Sequence, residues 1–166
     1  QGITAGSTGT YQTLTNLPVL TSGAGVTSYN GYTFISGGYN GAALSTVYSA
    51  KVNSDGSIGS WNTLNTILAV RSQASSVAAT APGSGGSTGG STGTGSSTGT
   101  STGYLYVLGG DSGSTTSTST VYYAAISGNG TVGTFATTST LPQILLGATA
   151  AVGSGYIFVV GGYNST

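Results

Sequence analysis

Residues 31–38 read Gly-Tyr-Thr-Phe-Ile-Ser-Gly-Gly, residues 103–110 read Gly-Tyr-Leu-Tyr-Val-Leu-Gly-Gly, and residues 155–162 read Gly-Tyr-Ile-Phe-Val-Val-Gly-Gly. A short run of aromatic and β-branched side chains bounded by glycine is a strand signal. Its threefold return makes this a repeat protein. A unit of this size cannot bury its apolar face alone, so each copy must stack on its neighbours.

Working outward, a glycine hairpin that ends in an aromatic residue recurs once for each of these strands. Residues 51–61 read Lys-Val-Asn-Ser-Asp-Gly-Ser-Ile-Gly-Ser-Trp, and residues 125–135 read Ala-Ile-Ser-Gly-Asn-Gly-Thr-Val-Gly-Thr-Phe. Residues 1–11 follow suit, so that Gly6, Gly56 and Gly130 align, as do Gly9, Gly59 and Gly133, and Tyr11, Trp61 and Phe135. Asp-Gly and Asn-Gly suit the positive-φ positions of a tight hairpin. Thr46-Val47-Tyr48-Ser49-Ala50 matches Thr120-Val121-Tyr122-Tyr123-Ala124. The spacing from Pro18 to Tyr32 equals that from Pro142 to Tyr156, with Leu68 in place of proline in the middle copy.

Each repeat (1–50, 51–124 and 125–166) therefore holds four short β segments. The first is small and apolar (23–28, 74–79, 147–152), the second runs into Gly-Gly, the third is the Val-Tyr strand, and the fourth follows the hairpin aromatic. No stretch has helical periodicity. The expected class is all-β, with propeller blades of four antiparallel strands in a single module, 1–166. Small residues on the first strand fit a crowded centre. The Gly-Gly pair permits a sharp turn there. Tyr11, Trp61 and Phe135 are expected between adjacent blades.

These residues resemble the kelch-type β-propeller family. The likeness rests on the run into Gly-Gly, the Val-Tyr strand and the aromatic after the hairpin, and its spacing is most similar to kelch arrays of secreted prokaryotic proteins. The resemblance implies a binding or scaffolding platform, and in some members an enzyme. The enzymatic members are not matched in their working residues. Galactose-oxidase-like propellers hold copper with His, Tyr and a Tyr–Cys crosslink, and this chain has no His and no Cys. Sialidase-like propellers need an arginine cluster, whereas Arg71 stands alone, with Thr21 and Leu145 at the equivalent positions. Arg71 is read as structural.

Composition narrows the function further. Lys51, Arg71, Asp55 and Asp111 are the only charged side chains, 2% of the chain against about a quarter in ordinary domains. A nucleic-acid or polybasic membrane site needs several Lys or Arg. No apolar run approaches the ~20 residues of a membrane span. A neutral, hydroxyl-rich surface lacks the repulsion that keeps copies apart. It reads as extracellular or cell-surface, with other copies of the chain, and glycans, as its partners.

The repeat breaks twice. Residues 81–102 form a Gly/Ser/Thr insert without core-forming side chains; order imposed on it by a partner subunit or by packing along the surface is one reading, a decorated mobile loop the other. The chain also stops at Tyr163-Asn164-Ser165-Thr166, before a third Val-Tyr strand, and begins just after where that strand would lie. The propeller is thus expected to be incomplete within one chain: a piece of a longer array, a ring closed by several chains, or a filament in which a neighbour donates the strand.

Candidate sites are few. Asn129-Gly130-Thr131 and Asn164-Ser165-Thr166 match the N-glycosylation acceptor, and the Ser/Thr-dense stretches 84–102 and 114–120 suit O-linked sugars. Tyr39-Asn40 and Tyr163-Asn164 follow Gly-Gly and are expected on one loop face, suited to stacking on and hydrogen-bonding glycans. Asn53-Ser54-Asp55-Gly56-Ser57 offers one carboxylate, too few for calcium, and reads as a turn. Asp111 replaces the tyrosine of the other repeats and reads as a loop residue. With no His or Cys, and no paired acids in sight, neither a cofactor nor catalysis is expected. The first expectation is a structural subunit of an extracellular filament, sheath or surface layer. The alternative is a carbohydrate-binding adhesin or lectin-like propeller.

Overall fold

The computed structural model describes residues 13–80, 102–113 and 116–164. The N-terminal hairpin with Tyr11, nearly all of the 81–102 insert, and Ser165 and Thr166 lie outside these residues, as does the reading that a partner orders the insert.

The fold is all-β and antiparallel. The sheets are offset from the sequence repeats 1–50, 51–124 and 125–166, because the strand after each hairpin aromatic pairs back onto the preceding Val-Tyr strand. Numbered by sheet, repeat 1 is a four-stranded meander of β1 (Gly25–Tyr29), β2 (Tyr32–Ser36), β3 (Val47–Lys51) and β4 (Asn62–Thr63). Repeat 2 repeats it with β5 (Ser75–Thr80), β6 (Gly103–Leu108), β7 (Val121–Ile126) and β8 (Ala136–Thr137). In repeat 3, β9 (Thr149–Gly153) pairs with β10 (Tyr156–Val160). The equivalent pairs keep one register: Gly25 faces Ser36, Ser75 faces Leu108, and Thr149 faces Val160. The first strands begin one or two residues later than the small-residue runs of the sequence. Gly23, Gln73 and Gly147 all have positive φ, and that conformation breaks a ladder.

The sheets stack as blades around their first strands. β1 lies against β5, and β5 against β9. Alternation along the middle strand then divides its side chains between two neighbours. In β6, Leu105 and Val107 face repeat 1 and pack with Phe34, Val47, Ile67, Tyr122, Val132 and Phe135. Tyr106 and Leu108 face repeat 3 and meet Ala150, Ile157 and Val159. Phe135 is buried between repeats, as the hairpin aromatic was expected to be. The described residues make three blade-like units and do not close a ring.

The Gly-Gly pairs are seams between blades. The Gly38 N–H donates to the Arg71 carbonyl at 2.7 Å, and the Gly110 N–H donates to the Leu145 carbonyl at 3.0 Å. Both bonds cross from one repeat to the next. Side chains do not fit here: a Cβ on Gly110 would lie 2.7 Å from the Ser72 carbonyl oxygen, on a residue with φ of 89°. Glycine is needed both for the left-handed conformation and for the close backbone approach.

Two further contacts recur from seam to seam. The Ser36 and Ser76 hydroxyls hydrogen-bond at 2.5 Å between repeats 1 and 2, and the equivalent Leu108 packs on Ala150 between repeats 2 and 3. The Asn65 amide donates to the Val132 carbonyl at 3.0 Å, as the Thr15 hydroxyl does to the Ile58 carbonyl at 3.0 Å. Residues 13–20 therefore lie on repeat 1 as the trailing segment of repeat 1 lies on repeat 2.

Candidate functional site

The three repeats meet on one face through backbone hydrogen bonds. The Gln73 N–H donates to the Gly23 carbonyl at 2.7 Å, and the Gly147 N–H donates to the Gln73 carbonyl at 3.0 Å. Beside this ladder, each residue after Gly-Gly is clamped by a two-bond bridge to its own repeat. Tyr39 bridges Ser22, Asp111 bridges Ser72 and Tyr163 bridges Leu146, every bond between 2.8 and 3.0 Å. The register thus places Tyr39, Asp111 and Tyr163 at equivalent points on this face.

A shallow cleft of about 350 Å³ opens there, lined by Ser22, Gly23, Tyr39, Ser72, Gln73, Asp111 and Gly113. Tyr39 and Tyr163 are both exposed. The Tyr163 hydroxyl donates to the Gln73 side-chain oxygen at 3.3 Å, so Tyr163 stands at the cleft through Gln73. Asn40 and Asn164 are exposed but do not line the cleft, and the Asn40 N–H donates to the Ala42 carbonyl at 3.1 Å within its own turn. The Asp111 carboxylate accepts the Gly113 N–H at 2.6 Å.

Gln73 was not legible as a site residue from its own neighbourhood. The available signal was its alignment with Gly23 and Gly147. It has φ of 53°, a left-handed conformation uncommon for a residue with a Cβ. Sequence places Asp111 in a loop after Gly110, and the fold brings that loop to the same cleft as Gln73.

Arg71 lies elsewhere, buried between repeats 1 and 2. Its guanidinium donates to the Val70 carbonyl at 2.7 Å and the Tyr122 hydroxyl at 2.9 Å, and lies 5.1 Å from the Tyr122 ring centroid. Its Nε has no hydrogen-bond partner among the described residues. These contacts tie the interior of the seam and give Arg71 a structural part.

The hairpin asparagine and aspartate do the same work in different repeats. The Asn129 side-chain oxygen accepts the Thr131 hydroxyl at 2.8 Å and the Thr131 N–H at 3.2 Å. Asp55 accepts the Ser57 hydroxyl at 2.7 Å and N–H at 2.9 Å. Those two bonds, the hydroxyl's first, hold the Asp55 carboxyl below its ordinary range. Asn53 donates to the Ser57 hydroxyl at 2.9 Å, so the loop is a hydrogen-bonded turn. Asn129 is exposed, which leaves it open to a glycan; the hydroxyl of the Asn164 acceptor motif lies outside the described residues.

Three tyrosines, Tyr104, Tyr106 and Tyr123, cluster on repeat 2 with ring centroids 6.0 to 6.4 Å apart. Burial, then the neighbouring Tyr104 and Tyr123, push the Tyr106 hydroxyl above its ordinary pKa.

No protein-family model matches the chain, and no curated protein matches it. No helix of the described residues is long and apolar enough to cross a membrane.

Proposed function

We propose that this protein is a structural subunit of an extracellular filament, sheath or cell-surface layer, built from kelch-like blades and joined head to tail with other copies of itself. One observation carries the reading. On β10, Tyr156, Phe158 and Val160 are 70%, 53% and 69% exposed. The same repeat positions are less exposed elsewhere: Phe34 is 0% exposed, Ser36 and Leu108 are buried against the next blade, and Tyr32, Tyr104 and Tyr106 are half-buried. A large apolar face at a position that otherwise receives a neighbour marks an interface.

The occupant is a second copy, entering with its repeat 1. Ser36 meets Ser76 and Leu108 meets Ala150, so the third member of the series is Val160 against Val26, the residue of repeat 1 at that position. Val26 is 60% exposed. Residues 13–20 of the incoming copy are already laid on its repeat 1 as a blade's trailing edge. Among the described residues β10 is hydrogen-bonded to β9 alone, which leaves its other edge as a second place for a neighbour to pair. Net charge is zero, and no electrostatic repulsion opposes the contact. Such a head-to-tail contact continues into a filament unless its rotation closes a ring.

In this role the chain works outside the cell, with Asn129 and Asn164 as glycan acceptors, and needs no cofactor, nucleic acid or catalytic step. The test is sedimentation of the wild-type protein and Phe158→Lys over a wide concentration range. Concentration-dependent assembly by the wild type and a monomer for the variant, with a melting temperature lowered by no more than a few degrees, support the role. A monomeric wild type, or a variant that assembles equally, refutes it.

A further inference from the structure

Repeat 2 departs from repeats 1 and 3 at two positions on the face where the repeats meet, and the two departures share one cleft. Gln73 stands where Gly23 and Gly147 stand, and Asp111 stands where Tyr39 and Tyr163 stand. Both line the same space of about 350 Å³.

The glutamine gives the fold's ladder nothing that glycine lacks. In the ladder it uses only the main-chain N–H and carbonyl, as glycine would; its side chain adds one contact with the next blade, accepting the Tyr163 hydroxyl at 3.3 Å. Its φ of 53° is one that a side chain disfavours. A residue held in a sparsely populated conformation at a cleft is a pointer to function.

The lining chemistry selects the ligand. Gln73 supplies an amide, Asp111 a carboxylate that also accepts the Gly113 N–H, and Ser22 a hydroxyl, with Tyr39 and the buried Ser72 at the wall and Tyr163 on Gln73. No cation lines the cleft: the Arg71 side chain is buried against Tyr122. An anionic ligand finds no countercharge, and a single carboxylate falls short of a calcium site. Adjacent sugar hydroxyls each donate and accept, and the C–H face of a pyranose stacks on tyrosine.

We propose that this cleft binds a neutral carbohydrate, and that Gln73 and Asp111 are the residues that read its hydroxyls. The Tyr163 hydroxyl positions the Gln73 amide. Its described lining residues all belong to one chain.

The experiment screens glucose, galactose, mannose, N-acetylglucosamine and their neutral oligosaccharides by saturation-transfer NMR and on a glycan array. It uses the wild type, Gln73→Gly, Asp111→Tyr and Asp111→Asn. The first two substitutions restore the residue of the other repeats, so the fold is kept, and Gln73→Gly is expected to hold or raise the melting temperature. A sugar that binds the wild type and binds each variant at least tenfold more weakly supports the site. No binding by any sugar of the panel overturns it. Binding that persists in Gln73→Gly and Asp111→Tyr also overturns it, and a lowered melting temperature in that case marks Gln73 as a strap to Tyr163. Repeating the screen on Phe158→Lys separates this result from the fate of the assembly role.

Discussion

Phe34 and Phe158 occupy the same position of the repeat in opposite surroundings, and truncating each to alanine separates folding from assembly. Phe34 is fully enclosed between repeats 1 and 2, among Val47, Leu105, Val107 and Phe135. Phe34→Ala removes a buried ring and leaves a cavity, a loss of about 3–5 kcal/mol. At about 2–4 °C per kcal/mol for a chain of this size, the melting temperature falls by roughly 6–20 °C. Phe158 is 53% exposed. Its truncation forfeits only about half of the ~1.5–3 kcal/mol of full burial, with no enclosed cavity, so about 1 kcal/mol and a few degrees. In sedimentation the ranking reverses: Phe158→Ala weakens assembly, whereas residual folded Phe34→Ala assembles. The assays are urea and thermal unfolding by circular dichroism on dilute monomer, then sedimentation at high concentration. Equal destabilisation by the two substitutions in the monomer would refute the reasoning, because it would mean that the β10 face is closed within one chain.

Other expectations follow from single contacts. Gly110→Ala drives a Cβ against the Ser72 carbonyl and the Ala74 side chain at a left-handed residue, and is expected to cost at least about 1–3 kcal/mol in urea unfolding. Arg71 is a buried cation whose partners are a carbonyl and a phenol; Arg71→Met, which fills the space, should lower the melting temperature less than Arg71→Ala, which leaves both a cavity and an unpaired hydroxyl. Stability should be nearly flat from about pH 5 to 9, since the only acids are aspartates and histidine is absent. Asp55, with its folded pKa lowered from an ordinary 3.8, contributes stability above that value that is lost as pH falls through the folded pKa. Tyr106, raised above 10.0 by burial, contributes stability below that value that is lost as pH rises through the folded pKa. Melting curves across the pH range check both limits, and Asp55→Asn should remove most of the acid limb.

The blade was legible because its signals are local and repeated. Three copies of a strand into Gly-Gly fix a register, and positive φ is found at Gly38, Gly110 and Gly162 as the double glycines predicted. The equivalence of Asp111 with Tyr39 and Tyr163 was also readable, and the backbone bridges bear it out. The cleft was not readable, because it depends on the distance between separate repeats. Gln73 and Asp111 are far apart in sequence and meet only when one bridge clamps Ser72 to Asp111. The opposite faces of β6 and β10 were equally hidden. Tyr106 and Phe158 look alike in sequence, and only the stacking order decides which is covered.

The most direct test of the head-to-tail contact uses the absence of native cysteine. Ser36→Cys with Ser76→Cys serves as the control, since their hydroxyls meet at 2.5 Å and the pair should close within one chain. A chain carrying both Val26→Cys and Val160→Cys, oxidised at high concentration and run without reductant, should give a ladder of covalent oligomers. Disulfides that stop at two chains would contradict a filament, and the absence of any cross-link while the control closes would contradict the contact itself.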